Sequence, residues 1–287
     1  MKSYLSLTAL AACLALVACE PTGSGSSSSA SSTSTEASAD ASSDDLSASA
    51  DMSDSETASS DSSSSVAMVD FPHHPAGELI SGSGSGYTDR SNWAPGICFP
   101  LVDKGYANSQ VYRPGGTSGG AGGQCDSSNY SYPWQDNFCE TRSWNNVVCA
   151  SGQGHQGQDI RPQSCQANKY WAVAVEDGVI TQVGSYTVAL TGSSSPHRIF
   201  RYLHMQVASL KVALGDHVVR GQKIGLVSNN MGSTATTIHL HFEIRVAQAE
   251  TMPDGTLLTA NSFVPPYTAL VDAYQRKLAG PDCPVVE

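Results

Sequence analysis

The stretch IHLHFEIRV, residues 238–246, alternates polar and apolar side chains, and this alternation decides the fold expected for the chain. Successive side chains of a β-strand point to opposite faces, so His239 and His241 would share one face while Leu240 and Phe242 share the other. The pattern therefore predicts a half-buried strand. Two imidazoles on one face are typical of a metal site, but an ordinary strand surface accounts for them equally well.

Five other stretches are strand-like, because apolar and β-branched residues alternate or run together between Gly, Asp and Ser breaks. Near the C-terminus, Pro265-Pro266 precede apolar residues spaced as one face of a helix, which should end near Gly280. The expected fold is mainly β: an antiparallel sheet domain with an active-site groove and a C-terminal helix. The five predicted strands cover residues 171–175, 178–183, 186–190, 198–203 and 223–227.

Two further groups of metal-ligand type lie upstream of residue 238. His155 and Asp159 are four residues apart in a Gly-rich turn, which is a weak signal by itself, and His204 ends an apolar and aromatic run. Zn²⁺ binds imidazole nitrogen and carboxylate oxygen well, and a catalytic zinc site uses three protein ligands. Taken together, the three segments predict a split metal site.

The same segments resemble the motifs of lysostaphin-type zinc metallopeptidases, the LytM-domain enzymes that cut peptide bonds in bacterial peptidoglycan. The stretch GDHVVRGQKIG, residues 215–225, is similar to the turn and strand before the family's second histidine cluster. The resemblance covers residues 155–246, within an expected peptidase domain at 151–287. The motifs that carry it are His155-x-x-x-Asp159, Tyr202-x-His204 and His239-x-His241.

The resemblance implies a Zn²⁺ cofactor bound by His155, Asp159 and His241. It also implies that His204 and His239 are catalytic and lie beside the water that the metal activates. Strand geometry alone treats His239 and His241 alike, so their division comes from the family pattern. The sequence leaves open which of His204 and His239 is the general base.

The expected function is therefore zinc-dependent hydrolysis of peptide bonds in peptidoglycan, in stem peptides or cross-links, by a monomer. One alternative is a non-catalytic wall-binding or amidase-activating domain of the same fold, although every matched position is retained here. Another is a zinc peptidase that acts on proteins or Gly-rich peptides, which the core motifs do not separate from the first function.

The N-terminus predicts export. Residues 1–18 have a basic start and a short apolar stretch, typical of a secretory signal and shorter than the roughly 20 residues of a spanning helix. The preceding LVA makes Cys19 resemble a bacterial lipidation site that would anchor the chain to a membrane; ordinary cleavage with an incidental Cys19 is the alternative. Residues 19–70, rich in Ser, Ala, Thr and Asp, predict a disordered tether. We expect a lipid-anchored envelope protein facing the periplasm, at the outer membrane if the host is Gram-negative.

Charge argues against a nucleic-acid partner. The formal net charge is −11, but ten of the 26 acids lie between Glu20 and Asp70, where there is no Lys or Arg. The rest of the chain is thus close to neutral, whereas nucleic-acid binding requires a basic face.

The cysteines predict disulfides. Apart from Cys13 in the signal and Cys19, six of the eight cysteines remain, and six allow 15 pairings. In an exported chain without a Cys-x-x-Cys pair, three disulfides are favoured over a cysteine zinc site. They would staple a loop-rich extension, 71–150, and the tail. These cysteines are Cys98, Cys125, Cys139, Cys149, Cys165 and Cys283.

Several side chains have two readings. Four aromatic residues of the extension either line a glycan or peptide groove or, as we favour, pack in its interior. The extension could also act as a lid that covers the active site until it moves. Glu243 is either a hydrogen-bond partner that orients a ligand imidazole or a solvated carboxylate. The remaining histidines, His73, His74, His197 and His217, are expected at the surface, and the four aromatic residues are Tyr130, Tyr132, Trp134 and Trp144.

Overall fold

The computed structural model of the protein describes residues 68–280 and 282–287. The predicted signal at 1–18, Cys19 and all but the last three residues of the predicted tether lie outside these ranges. Within the ranges described, no helix combines the length and the apolar character needed to cross a membrane.

The described residues contain fifteen short strands, two 3-10 helices and one α-helix. The 3-10 helices are Ser127–Tyr130 and Val207–Ser209, and the α-helix, α1, is Tyr267–Ala279. The strands are β1 (Gly105–Ala107), β2 (Gln158–Pro162), β3 (Trp171–Val173), β4 (Gly178–Val183), β5 (Thr187–Gly192), β6 (Ile199–Leu203), β7 (Met205–Gln206), β8 (His217–Val218), β9 (Lys223–Val227), β10 (Asn230–Met231), β11 (Thr234–Ala235), β12 (Leu240–Arg245), β13 (Glu250–Thr251), β14 (Leu257–Leu258) and β15 (Phe263–Val264).

The main sheet has the order β1-β2-β12-β6-β5-β4-β8, and β15 pairs with the far end of β12. Its strand pairs are all antiparallel. A three-stranded sheet, β3-β9-β7, and the hairpins β10-β11 and β13-β14 complete the architecture. The prediction of a mainly β, antiparallel fold with a C-terminal helix is confirmed.

Strand β12 lies between β2 and β6. Its side chains alternate between the core face of the sheet and the opposite face. Leu240, Phe242 and Ile244 are fully buried on the core side, as expected for apolar residues two apart. The opposite face carries His241 and Glu243. The register places Asp159 of β2 directly opposite His241.

The extension shares its core with the sheet. Trp134 is fully buried, and its ring centroid lies 4.7 Å from that of Phe71 and 4.5 Å from that of Tyr274 on α1. Phe99 packs on the same indole, with ring centroids 5.6 Å apart. Removing a buried Trp typically destabilises a protein by about 3–5 kcal/mol, so this aromatic cluster fixes the extension firmly.

Three disulfides are present, as predicted, and their pairing reveals what each one holds. Cys98–Cys283 joins the extension to the C-terminal tail across 185 residues, and Cys125–Cys165 joins it to the segment after β2. Cys139–Cys149 closes a short loop within the extension, just before His155.

The predicted strands occur at nearly the predicted positions. Those at 178–183 and 223–227 have the observed bounds of β4 and β9. The strand predicted at 171–175 ends at Val173, and its pairing with β9 shifts register between Ala172 and Val173. The strand predicted at 238–246 begins at Leu240, so His239 lies just before it.

Candidate metal centre

Three side chains converge on one buried point. His155 Nε2 lies 2.9 Å from His241 Nδ1 and 3.2 Å from Asp159 Oδ1, and the latter two atoms are 3.0 Å apart. All three residues are at least 96 % buried, with exposed fractions of 2 %, 1 % and 4 % for His155, Asp159 and His241. The structure thus brings together the residues that the sequence predicted as ligands, in a group able to hold a metal ion.

The geometry and charge of this group fit zinc. Atoms bound at 2.0–2.2 Å to a tetrahedral ion lie about 3.4 Å apart, close to the separations found here. Burial alone would lower the pKa of His241, but hydrogen bonds to Asp159 and Glu243 outweigh it and raise that pKa to about 9. An imidazole between two carboxylates attracts positive charge, from a proton or from a metal cation.

Asn137 of the extension holds two of the three candidate ligands. His155 Nδ1 donates to the Asn137 carbonyl oxygen at 2.9 Å, which fixes the tautomer that leaves Nε2 free. Asn137 Nδ2 donates to Asp159 Oδ2 at 2.9 Å, and Asn137 Oδ1 accepts from the Asp159 backbone N–H at 3.2 Å. The sequence analysis missed this residue, because nothing in a loop 18 positions before His155 signals such a contact.

Glu243 orients the third candidate ligand. His241 Nε2 donates to Glu243 Oε1 at 3.2 Å, while Arg201 and Arg245 both donate to Oε2, at 2.8 and 2.9 Å. Burial raises the pKa of Glu243, but these three partners outweigh it and bring the pKa down to about 2. Of the two readings of Glu243, the structure favours the orienting partner over the solvated carboxylate.

His204 and His239 stand next to the ligand group. Their ring centroids are 4.4 Å apart, and His239 Nε2 lies 3.4 Å from Asp159 Oδ1. Each Nδ1–H donates to a backbone carbonyl, of Asn230 at 2.7 Å for His204 and of Thr237 at 2.8 Å for His239. Burial lowers the pKa of both, so both are neutral near pH 7 with Nε2 as the basic atom.

A groove of about 610 Å³ opens beside this cluster. His204 and His241 line it, together with Arg201 and Glu243 of the sheet. One wall comes from the extension, at Ser143, Trp144 and Asn145, and the facing residues include Tyr186 and Met231. The predicted groove is therefore present, and the extension builds part of it.

Close packing at the site requires glycine at residue 157. A Cβ there would lie 2.5 Å from the Phe242 carbonyl oxygen and 2.8 Å from His241 Nε2, both below any normal contact. Gly154 meets a similar limit, 2.7 Å from Cys149 Sγ, so the disulfide packs against the backbone that leads into His155. The Gly-rich turn of the sequence is thus explained by the space it leaves for the site.

The aromatic residues of the extension divide between the two readings. Trp134 is fully buried in the core, whereas Trp144 is 41 % exposed in the groove wall. Tyr130 and Tyr132 pack against Tyr106, with ring centroids 6.4 and 5.4 Å away. The histidines expected at the surface are exposed or half-buried and lie outside the ligand group.

Comparison with known proteins supports the resemblance seen in the motifs. The sequence profile of Peptidase family M23 matches residues 153–253, which confirms the predicted kinship for that part of the chain. No curated protein matches the chain.

Solved structures with similarity to the chain include three bacterial proteins. One is a Ruminococcus gnavus protein to which glycyl-glycine endopeptidase activity is attributed (20 % identity, 64 % of this chain and 63 % of that chain, TM-score 0.38). Another is the antimicrobial peptidase lysostaphin of Staphylococcus simulans (21 %, 52 % and 56 %, TM-score 0.33). The third is a zinc-containing peptidase of Vibrio cholerae (24 %, 43 % and 33 %, TM-score 0.29). The chain thus spans less than two thirds of each.

Proposed function

We propose that this protein is an exported zinc-dependent endopeptidase that hydrolyses peptide bonds of bacterial peptidoglycan, in stem peptides or cross-links. The observation that supports this most directly is the convergence of His155, Asp159 and His241 beside a groove, within residues that match a peptidase family. These three residues would hold Zn²⁺. Bound zinc supplies Lewis acidity, which makes water a better nucleophile and polarises a scissile carbonyl.

The protein's own groups prepare the ligands. Asn137 and Glu243 accept one ring N–H of His155 and of His241, so each imidazole is held in a fixed orientation with its other ring nitrogen toward the shared point. Although burial would raise the pKa of Asp159, His155 and His239 outweigh it and hold that pKa well below its usual range. The site therefore keeps a carboxylate ready for a cation.

The remaining imidazoles would handle the proton and the developing charge. With Nδ1–H committed to a carbonyl, Nε2 of His204 or His239 can accept a proton and return it to the departing amine. His204 lines the groove, which favours it for contact with the reacting bond, while His239 lies closer to Asp159. An imidazolium at either position would also stabilise a negatively charged intermediate.

The N-terminal sequence supports a proposal for the protein's location and partners. We propose that Cys19 carries the lipid anchor in the envelope, that residues 19–70 set the reach, and that a monomer acts on peptidoglycan from the periplasmic side. We expect a radioactive fatty acid to label the wild type but not a Cys19→Ser variant.

Metal analysis and digestion of purified muropeptides test the activity. We expect near-stoichiometric zinc in the wild type, poor metal binding in His155→Ala, and a metal-bound but slow enzyme in His204→Ala. His73→Ala, a histidine away from the site, is the matched control and should behave as the wild type. Full metal content without cleavage of any muropeptide would instead favour a non-catalytic wall-binding or amidase-activating domain.

A further inference from the structure

The floor of the groove contains a guanidinium group whose hydrogen bonding is incomplete. Arg201 lines the groove with a side chain that is 17 % exposed. Its Nη1 donates to Glu243 and its Nε is buried without an acceptor, while its Nη2 is not among the buried atoms and donates to none of the described residues. Arginine offers five N–H donors in one plane, so this side chain retains capacity for another acceptor.

The neighbouring carboxylate does not neutralise this group fully. Both oxygens of Glu243 are engaged, Oε1 by His241 and Oε2 by two guanidinium groups, those of Arg201 and Arg245. Arg245, which also lies over the Phe263 ring with its guanidinium 4.3 Å from the ring centre, does not line the groove. Two positive charges thus share one negative charge, and the excess faces the groove through Arg201.

No other charge in the groove compensates this excess. Among the described residues that line it, Arg201 and Glu243 are the only ones of the types Arg, Lys, Asp and Glu. Away from the candidate metal ligands, an anionic group entering the groove would therefore meet Arg201 as its positive partner, and the carboxylate of Glu243 is already engaged. Charge-assisted hydrogen bonds of this kind are about twice as strong as neutral ones.

The sheet register sets the offset along the strands between the backbone of Arg201 and that of the candidate ligand His241. Arg201 on β6 is paired with Glu243, and Glu243 follows His241 by two residues on the same face of β12. Two residues of a strand span about 6.7 Å. A peptide lying extended along the groove would cover the same distance in about two residues.

We propose that Arg201 forms a subsite for a free carboxylate of the substrate, carried about two residues from the bond that is cleaved. This inference rests on the proposed function, because it concerns the substrate of that site. It predicts a preference for peptidoglycan peptides whose carboxyl groups are free over the same peptides with these groups amidated.

The test compares two cross-linked muropeptide dimers, identical except that the stem carboxyl groups are free in one and amidated in the other. For each dimer, kcat/KM and the equilibrium Kd are measured with the wild type, Arg201→Gln and Arg245→Gln. Both variants remove one guanidinium from Glu243, so any effect that passes through Glu243 and His241 appears in both. Of these two arginines, only Arg201 lines the groove.

We expect the wild type to prefer the free dimer about tenfold, on the scale of one hydrogen bond to a charged group. The preference should fall to about one in Arg201→Gln and persist in Arg245→Gln. Equal values for both dimers in the wild type, or an equal loss of preference in both variants, would overturn the subsite. Tighter binding of the free dimer through Arg201 without cleavage of either dimer would support the subsite and refute the endopeptidase function.

Discussion

Replacing Asn137 with Ala should weaken binding of the proposed zinc ion without removing any candidate ligand. The amide of Asn137 donates to Asp159 Oδ2 and accepts from the Asp159 backbone N–H, whereas its carbonyl, which holds His155, remains in the variant. Loss of such a partner typically weakens metal binding by about 10- to 100-fold. Leaving the buried Asp159 oxygen without its donor should also destabilise the metal-free fold by about 1–3 kcal/mol.

The assay is competition for zinc against a chromophoric chelator, combined with urea denaturation of the chelator-treated protein. Asn129→Ala is the matched control, because Asn129 is equally buried in the extension and its Nδ2 donates to the carbonyls of Pro114 and Gln124 at 2.9 and 3.2 Å. It should lose comparable stability and keep its zinc affinity. If Asn137→Ala binds zinc as tightly as the wild type, or if Asn129→Ala weakens binding as much, the reasoning fails.

Three further predictions concern the same site. Burial lowers the pKa of His204 to about 2 in the folded protein. Below about pH 6.5, His204 is therefore protonated in the unfolded chain but stays neutral in the folded one. The free energy of unfolding of the chelator-treated protein, measured by urea titration, should therefore decrease as pH falls below about 6.5. His204→Gln should reduce the slope of this free energy against pH by up to about 1.4 kcal/mol per pH unit. An unchanged slope would contradict this reasoning. Gly157→Ala should lower the free energy of unfolding by about 1–3 kcal/mol and weaken zinc binding, because the new Cβ would collide with the His241 ring. Wild-type stability together with wild-type zinc affinity would contradict this prediction. Replacing both Cys139 and Cys149 with Ala should destabilise the fold by about 2–3 kcal/mol and loosen zinc, because this disulfide packs against the turn before His155; an unaltered zinc off-rate would show that the disulfide does not support the site.

The extension shares its core with the sheet and contacts the candidate metal ligands, and these contacts restrict how the predicted lid could move. Trp134 sits in the common core, and Asn137 holds candidate ligands, so moving the whole segment would break both sets of contacts. Any motion that opens the groove should be confined to the wall around Trp144. The lid predicted for the extension stays a prediction.

Features that depend on local geometry were predictable from sequence. Side-chain alternation is a property of every strand, so IHLHFEIRV revealed which histidines face together and which residues enter the core. The helix was placed by its apolar spacing and by Gly280. The candidate residues stood out because zinc requires particular atoms that only a few residue types provide, while the choice of His241 over His239 came from the family resemblance.

Features that depend on which distant segments meet were decided by the tertiary structure alone. The six cysteines allowed 15 pairings until packing selected three bonds. Trp134 and Trp144 have the same chemistry, yet one lies in the core and the other in the groove wall. Arg201 meets Glu243 only because β6 and β12 pair in one register, and that register results from the packing of the whole sheet rather than from either sequence.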